Sequence, residues 1–413
     1  MDAPTPRKPA LGFIFITLVL FVLGFGIIIP VLPPLVAKFN GGSFAEGSGE
    51  YGVLVGVYAA MQFVFSPILG SLSDRYGRRR VLLIALAGSA IDYVIMGFAP
   101  SMAWLFVARM ISGATAGALA TCNAYIADVT PPERRAQAFG LLGVAFGVGF
   151  AIGPAIGGFL GGYSIRLPFF VAAGCVSINW LYGALVLPES LPPDQRRPFS
   201  WRRANPVGSL LALRRFRGVF DLAWVYFIYM FGSVILQSIW VLYTGYRYGW
   251  TPLQVGLSLT YVGVLTAAVQ GGFVKRIIAA TGERKGLVLG LLLSAGAMTA
   301  YGLSTHGWMI FVFVLLGAFG GITGPSVQAL VTRHVPGNEQ GALQGSLSSL
   351  QSLATIFAPM LGAWSFGKGI ADNARWHLPG IAFFEAAALM LVALAFAFRS
   401  FQLDDRVAAP GSA

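Results

Sequence analysis

The fold is decided by Gly70-Ser-Leu-Ser-Asp74-Arg75-Tyr-Gly77-Arg78-Arg79-Arg80, a short loop with five charges in eleven residues. It separates two apolar runs, 51–72 and 81–99, each close to the ~20 residues an α-helix needs to cross a bilayer. A loop this short joins antiparallel neighbours, and its charges keep it on one side of a membrane. Gly77 permits a tight turn because it lacks a Cβ. Asp74 and the arginines are placed to form charge-assisted pairs with neighbouring helix ends and so lock that side. Asp128, where the fourth apolar run ends, is the natural partner for an arginine here.

Outward from this loop the same alternation continues. Of 413 residues, 56% are hydrophobic and 11% charged, less than half the roughly 25% charged residues of soluble domains. This argues against a soluble enzyme, and an all-α integral membrane protein is expected. Apolar runs bounded by Gly, Pro or charge predict twelve transmembrane helices at 11–35, 51–72, 81–99, 102–127, 136–161, 167–187, 219–244, 253–278, 286–304, 307–331, 340–365 and 377–398. The first run is longer than a signal-peptide core and lacks a small-residue cleavage site, so it reads as a retained span. The even count puts both termini on one side. If that side is cytoplasmic, 22 Lys/Arg fall in cytoplasmic segments, 5 in outer loops, and Arg109 inside a helix. The formal charge of +12 is then the positive-inside pattern and implies no nucleic-acid partner. Cys122 and Cys175 sit in apolar stretches without a CxxC, so neither a disulfide framework nor a thiolate metal site is expected. His306, His334 and His377 fall in loops or at span ends. No HExxH and no GxxxxGK[ST] occurs, which argues against an intramembrane enzyme and excludes a single-chain ATP-driven pump. No catalytic residue, cofactor or resident metal is expected.

Between spans six and seven, 188–218 holds Pro188, Pro192, Pro193, Pro198, Pro206 and seven arginines. It divides the chain into an N-terminal bundle (1–188), a cytoplasmic linker (189–218) and a C-terminal bundle with a short tail (219–413). A shift of 205 residues carries Gly77 onto Gly282, Pro131 onto Pro336, Gly140 onto Gly345, Pro154 onto Pro359 and Gly157 onto Gly362. Two parallel six-helix repeats, with a substrate path at their interface, follow from this offset.

Inside the predicted spans, charged groups are costly and few. Asp92 in span three and Arg109 in span four each lie about eight residues from the turn at Pro100, hence at similar depth at ~1.5 Å per residue. Their interaction is sterically possible, and Asp92 becomes the candidate proton carrier with Arg109 as its modulator. Glu385 in span twelve lies near the outer end, where snorkelling is the expected role. In span five, Gly149, Gly153 and Gly157 recur every four residues and line one face for close helix contact, while Pro154 bends the helix. Gln62, Asn123, Gln237 and Gln270 are candidate substrate-binding groups. Asn179 is a further amide, and Trp240, Tyr243 and Tyr261 are candidate aromatic walls.

The loop from Gly70 through Asp74, Arg75, Gly77, Arg78 and Arg79 resembles the G-x-L-a-D-r-x-G-r-[kr] loop of the major facilitator superfamily. Gly140, Gly149, Gly153-Pro154 and Gly157-Gly158 resemble the motif that marks its proton-coupled drug antiporters. Ile29-Pro-Val-Leu-Pro33, Tyr51-Gly, Met61-Gln62-Phe63, Ile91-Asp92-Tyr93, Ala124-Tyr-Ile-Ala-Asp128 and Leu187-Pro-Glu-Ser190 are similar to the tetracycline/proton antiporters. Val255-Gly-Leu-Ser-Leu259, His306-Gly-Trp-Met309 and Gln344-Gly-Ser-Leu-Ser348 continue the likeness. The resemblance implies the major facilitator fold and a bacterial inner-membrane location. It also implies efflux of a tetracycline–divalent-metal chelate in exchange for a proton. Gln62 and Gln270 become substrate-cavity residues, Asp74 the gating acid and Asp92 a transport acid. Three departures stand out: Phe21 and Ser294 occupy positions of intramembrane acids in that family, and Thr266 that of a histidine. They point to a related amphipathic drug as a possible substrate. Proton-coupled import of a small metabolite is the alternative, against which the span-five Gly-Pro pattern argues.

Overall fold

The computed structural model describes residues 11–199, 219–336, 339–374 and 376–408. In them the chain forms α1 (Leu11–Ile28), α2 (Leu32–Phe39), α3 (Phe44–Tyr76), α4 (Arg78–Phe98), α5 (Met102–Ala114), α6 (Ala118–Val129), α7 (Arg135–Tyr163) and α8 (Leu167–Leu185). Beyond the linker come α9 (Phe220–Tyr248), α10 (Pro252–Val269), a π-turn (Gln270–Val274), α11 (Lys275–Thr281), α12 (Glu283–Leu303), α13 (Gly307–Gly320), α14 (Thr323–Arg333), α15 (Gln340–Ile370) and α16 (Ile381–Ala408). No strand is present among the described residues. Residues 200–218, the larger part of the expected linker, lie outside the described residues.

Among the described residues, eleven segments are long and apolar enough to cross a membrane. The remaining expected span, the eleventh, is α15, which has 31 residues but carries Gln340, Gln344, Gln351 and several serines. Neighbours of its own unit satisfy these groups: Gln328 Nε2 donates to Gln344 Oε1 at 2.8 Å and the Tyr226 hydroxyl to Gln351 Oε1 at 3.2 Å.

Several expected helices differ from those observed. The run 11–35 is broken at Ile29–Val31, because Pro30 has no N–H to continue the α1 ladder. The run 102–127 is broken at Thr115–Gly117, where Thr115 Oγ1 bonds back to Ile111 O at 2.9 Å. The run 307–331 is broken at Gly321–Ile322, with Thr323 Oγ1 on Gly320 O at 2.9 Å. These last two breaks are themselves related by the 205-residue shift. Gly77 (φ +102) and Gly282 (φ +78), the first pair matched by that shift, both adopt a positive φ and both cap the following helix. The shift extends to charge: Arg78–Asp128 (3.0 Å) becomes Glu283–Arg333 (2.8 Å), the same linkage with its polarity reversed.

Contacts group the chain into two compact units. The first holds Met1–Gly41, Val57–Pro206 and Trp250–Thr260; the second holds Gly42–Gly56, Val207–Gly249 and Tyr261–Ala413. Gly42–Gly56 and Trp250–Thr260 group across the sequential halves expected from the sequence. Glycines explain this. A Cβ on Gly52 would lie 2.9 Å from that of Ala363, and Gly256 sits directly on the Pro154 carbonyl. The second unit is built around Leu287, Leu291, Val327, Leu343 and Met390.

In the first unit α7 lies along α1 through the expected small-residue face. A Cβ on Gly149 would sit 2.7 Å from Val22 Cγ1, and one on Gly153 2.8 Å from Gly26 Cα. Gly157 abuts the Ile27 carbonyl, and Gly158 abuts Pro252 at the start of α10. Gly140, by contrast, faces nothing within 4 Å, so packing does not explain that member of the motif. Gly157→Leu is therefore expected to abolish the monodisperse peak in fluorescence-detected size exclusion. Gly140→Ala should leave it intact, with stability changed by no more than about 1 kcal/mol from helix propensity.

Candidate functional site

Two charge centres of the first unit contain most of the charged residues singled out by sequence. The first lies around the Asp74 loop. Arg78 Nη1 pairs with Asp74 Oδ1 at 2.6 Å and donates to Ser73 Oγ at 2.6 Å, while its Nε reaches Asp128 Oδ2 at 3.0 Å. The structure thus joins Asp74, Arg78 and Asp128 through one guanidinium. Arg79 instead donates to the carbonyls of Gly183, at 3.2 Å, and Ala184, satisfying acceptors left free at the end of α8. Arg75 lies over the Tyr76 ring at 5.0 Å. Gly70, the first residue of the expected gating loop, has no neighbour within 4 Å of where a Cβ would be.

Glu189 is a residue the sequence reading missed. Its carboxylate accepts from the backbone N–H of Arg78 at 2.8 Å and of Arg79 at 3.3 Å. It thus caps the start of α4 with a negative charge at the positive end of the helix dipole. The carboxylate packs onto Gly77, leaving no room for a side chain there. At the other end of α4, Arg166 donates to Gly97 O at 3.0 Å and Ala99 O at 2.8 Å, the complementary charge at the negative end. The signal was present in Leu187-Pro-Glu-Ser190, but only its likeness to a family was read from it. The segment stays on the loop: Tyr125 Oη donates to Pro188 O at 3.1 Å, Ser190 Oγ to Asp128 Oδ2 at 3.2 Å and Arg197 N to Asp74 O at 3.0 Å.

The second centre is on α4 and α5. Asp92 is fully buried and Arg109 is 4% exposed, and the two form an ion pair, as their equal distance from Pro100 allowed. Arg109 Nη2 also approaches Met96 Sδ at 2.9 Å, and its guanidinium lies over the Tyr58 ring, 5.4 Å from the centroid. Ser112 sits beside the carboxylate. Among the described residues, Asp92 is the only acidic side chain that is buried. Tyr58 was another omission; no local motif marks it, because its relation to Arg109 arises from packing of α3 on α5.

The amide candidates separate by environment. Asn179 is buried and donates to Thr17 O at 2.9 Å, which makes it a helix–helix bond between α8 and α1. Trp240 and Tyr243 are buried in the second unit, and Tyr243 Oη donates to Tyr301 O at 2.8 Å; both are core and not cavity walls. Tyr261 is 39% exposed, with its hydroxyl on Phe311 O at 3.2 Å. Asn123, Gln237 and Gln270 are exposed and Gln62 is half-buried. Gln270 opens the π-turn, a feature that accompanies functional sites, and its Nε2 lies 3.3 Å from where a Gly321 Cβ would be, at the α13–α14 break. Glu385 is half-buried one turn into α16, beside Ser365, closer to the helix start than the sequence suggested.

Because Glu189 ties the segment after α8 to α4, Glu189→Ala should speed tryptic cleavage at Arg196–Arg197 several-fold. An unchanged digestion rate would show the cap to be incidental.

Comparison with known proteins agrees with this architecture. The family model described as Major Facilitator Superfamily matches residues 14–279 and 222–412. The class C tetracycline resistance protein of Escherichia coli is 38% identical over 93% of this chain and 95% of its own length. The class G protein of Vibrio anguillarum is 36% identical over 83% and 89%. Among solved structures, the human organic anion transporter MFSD10 superposes with a TM-score of 0.68 at 25% identity, covering 96% of this chain and all of that one. This chain belongs to the Major Facilitator Superfamily, among members resembling the tetracycline resistance efflux proteins, and is a transporter and not an enzyme.

Proposed function

We propose that the protein is a proton-coupled efflux antiporter for tetracycline or a related amphipathic drug, working by alternating access in a bacterial inner membrane with both termini cytoplasmic. Drug efflux is supported by the tetracycline resistance relatives, matched over nearly their full lengths. The observation that carries the coupling is the buried Asp92–Arg109 pair. A charge inside a membrane protein persists where it is paired or functional. A carboxylate held by one guanidinium can gain a proton when that contact loosens and release it when the contact re-forms.

In this reading α4 delivers the acid to a fixed depth, since its two ends are clamped by Glu189 and Arg166. The Tyr58 ring keeps the guanidinium beside Asp92. The Asp74–Arg78–Asp128 cluster fastens the cytoplasmic ends of α3, α4 and α6 and has to rearrange if those ends move. Gln62 and Gln270 are the substrate-facing amides. The glycine face of α7 on α1 supplies a seam with no long side chains to obstruct small sliding motions.

Two measurements test the reading. In respiring inside-out vesicles tetracycline should release protons from the acidified lumen, and Asp92→Asn should abolish this response with expression unchanged; retained coupling in that variant would refute Asp92 as carrier. Tyr58→Phe keeps the ring and should transport nearly as well as the parent. Tyr58→Leu should lose about tenfold in coupled rate, corresponding to the ~1–2 kcal/mol of a desolvated cation–π contact. Equal behaviour of the two variants would remove the ring from the mechanism.

A further inference from the structure

The start of α3 borders a cavity that the transport reading does not use. Within the second unit, the first turns of α3, the end of α9 and the last turns of α15 border a half-open cavity of about 790 Å³, the size of a small-molecule site. Glycine leaves part of its wall bare. Gly42 and Gly49 line it, and a Cβ on either would meet nothing within 4 Å. Nearby, glycine also fixes the walls: a Cβ on Gly367 would lie 2.8 Å from Ala45 O, and one on Gly245 3.3 Å from the Phe44 ring. The cavity is therefore bordered by tight helix contacts and is not a gap left by loose packing.

Its lining combines two chemistries. Trp364 and Tyr246 present exposed rings, and Tyr246 is oriented by a 3.2 Å hydrogen bond between its hydroxyl and His377 Nε2. Glu46 and Asp372 supply negative charge, and Lys368 supplies positive charge. Aromatic faces take a planar ring system; the carboxylates attract a cationic amine and Lys368 an acidic group. A headgroup of a zwitterionic phospholipid would use the charges but leave the two ring faces without a role.

We propose that this cavity is a second binding site for a planar aromatic amphipath carrying both a cationic amine and an acidic group, occupied from the outer side of the membrane. The proposal rests on the export reading in taking the departing drug to be of this class.

Tetracycline is the probe, and the readout is local. Gly49→Cys, made with Cys175→Ser, introduces a thiol into open space, while the remaining Cys122 is buried. In right-side-out vesicles a membrane-impermeant maleimide should label it, and saturating tetracycline should slow that labelling several-fold. Glu46→Gln or Lys368→Gln should weaken the protection, and Asp92→Asn should leave it in place. Should Gly49→Cys fail to fold, Asn373→Cys probes the same lining. Labelling that tetracycline does not slow, in protein that still transports it, would overturn the site and leave export standing. Protection in protein that transports no tetracycline would keep the site and remove the export reading. Labelling only in inside-out vesicles, or protection that follows phosphatidylethanolamine content and ignores tetracycline, would also overturn it.

Discussion

Inside a bilayer no water is present to bond a stray polar group, and each one left alone costs several kcal/mol. That constraint organises this molecule. It makes the backbone helical, and it then governs the polar side chains within the helices. Asn179 bonds Thr17 O, Tyr243 bonds Tyr301 O, and Gln344 and Gln351 of α15 bond Gln328 and Tyr226. The costliest case is Asp92, whose burial is tolerable because Arg109 lies against it with a ring beneath the guanidinium. Around this pair the helix α4 acts as a rigid carrier. Its dipole is matched by a carboxylate at one end and a guanidinium at the other, so displacement of either clamp would be felt along the axis that holds Asp92.

The two repeats share this engineering but not its signs. Where the first joins span three to span four through Arg78 and Asp128, the second uses Glu283 and Arg333. Arg79 anchors to the end of α8 through carbonyls, and its counterpart Arg284 lies over the Phe401 ring of α16 at 5.0 Å. Duplicated geometry with inverted polarity means that the linkage, and not a particular charge at a particular position, has been kept. The clamps differ in exposure: Arg333 is 70% exposed and Arg78 11%. Solvent screening weakens the former, which makes the first repeat's clamp the stiffer of the two.

Much of this was legible in the sequence because bilayer length, the positive-inside bias and the Gly/Pro offset are patterns along one dimension. The span count, the Asp74–Arg78–Asp128 cluster and the proximity of Asp92 to Arg109 all follow from such patterns. What escaped was three-dimensional. Hydropathy does not register the breaks at Thr115 and Gly321, since the residues on either side remain apolar. The π-turn at Gln270 changes hydrogen-bond register without changing composition. Glu189 and Tyr58 act on partners 111 and about 50 residues away in sequence, with no spacing rule to link them. Trp240 and Tyr243 looked like cavity walls because residue type alone does not tell which side of a helix is covered.

The structure also bears on Phe21, Thr266 and Ser294, the three departures from the family resemblance. Ser294 is 6% exposed and its hydroxyl abuts Gly320, leaving no space there for even a Cβ. A carboxylate in its place would have to push α13 away from α12 or find a partner where Gly320 offers none. The seam between these helices has therefore closed over the position, and restoring an acid at 294 alone would bury a charge without a counter-ion. Phe21 and Thr266 leave their sites equally uncharged. With those groups neutral, the one fully buried acid among the described residues is Asp92, and it is already paired with Arg109.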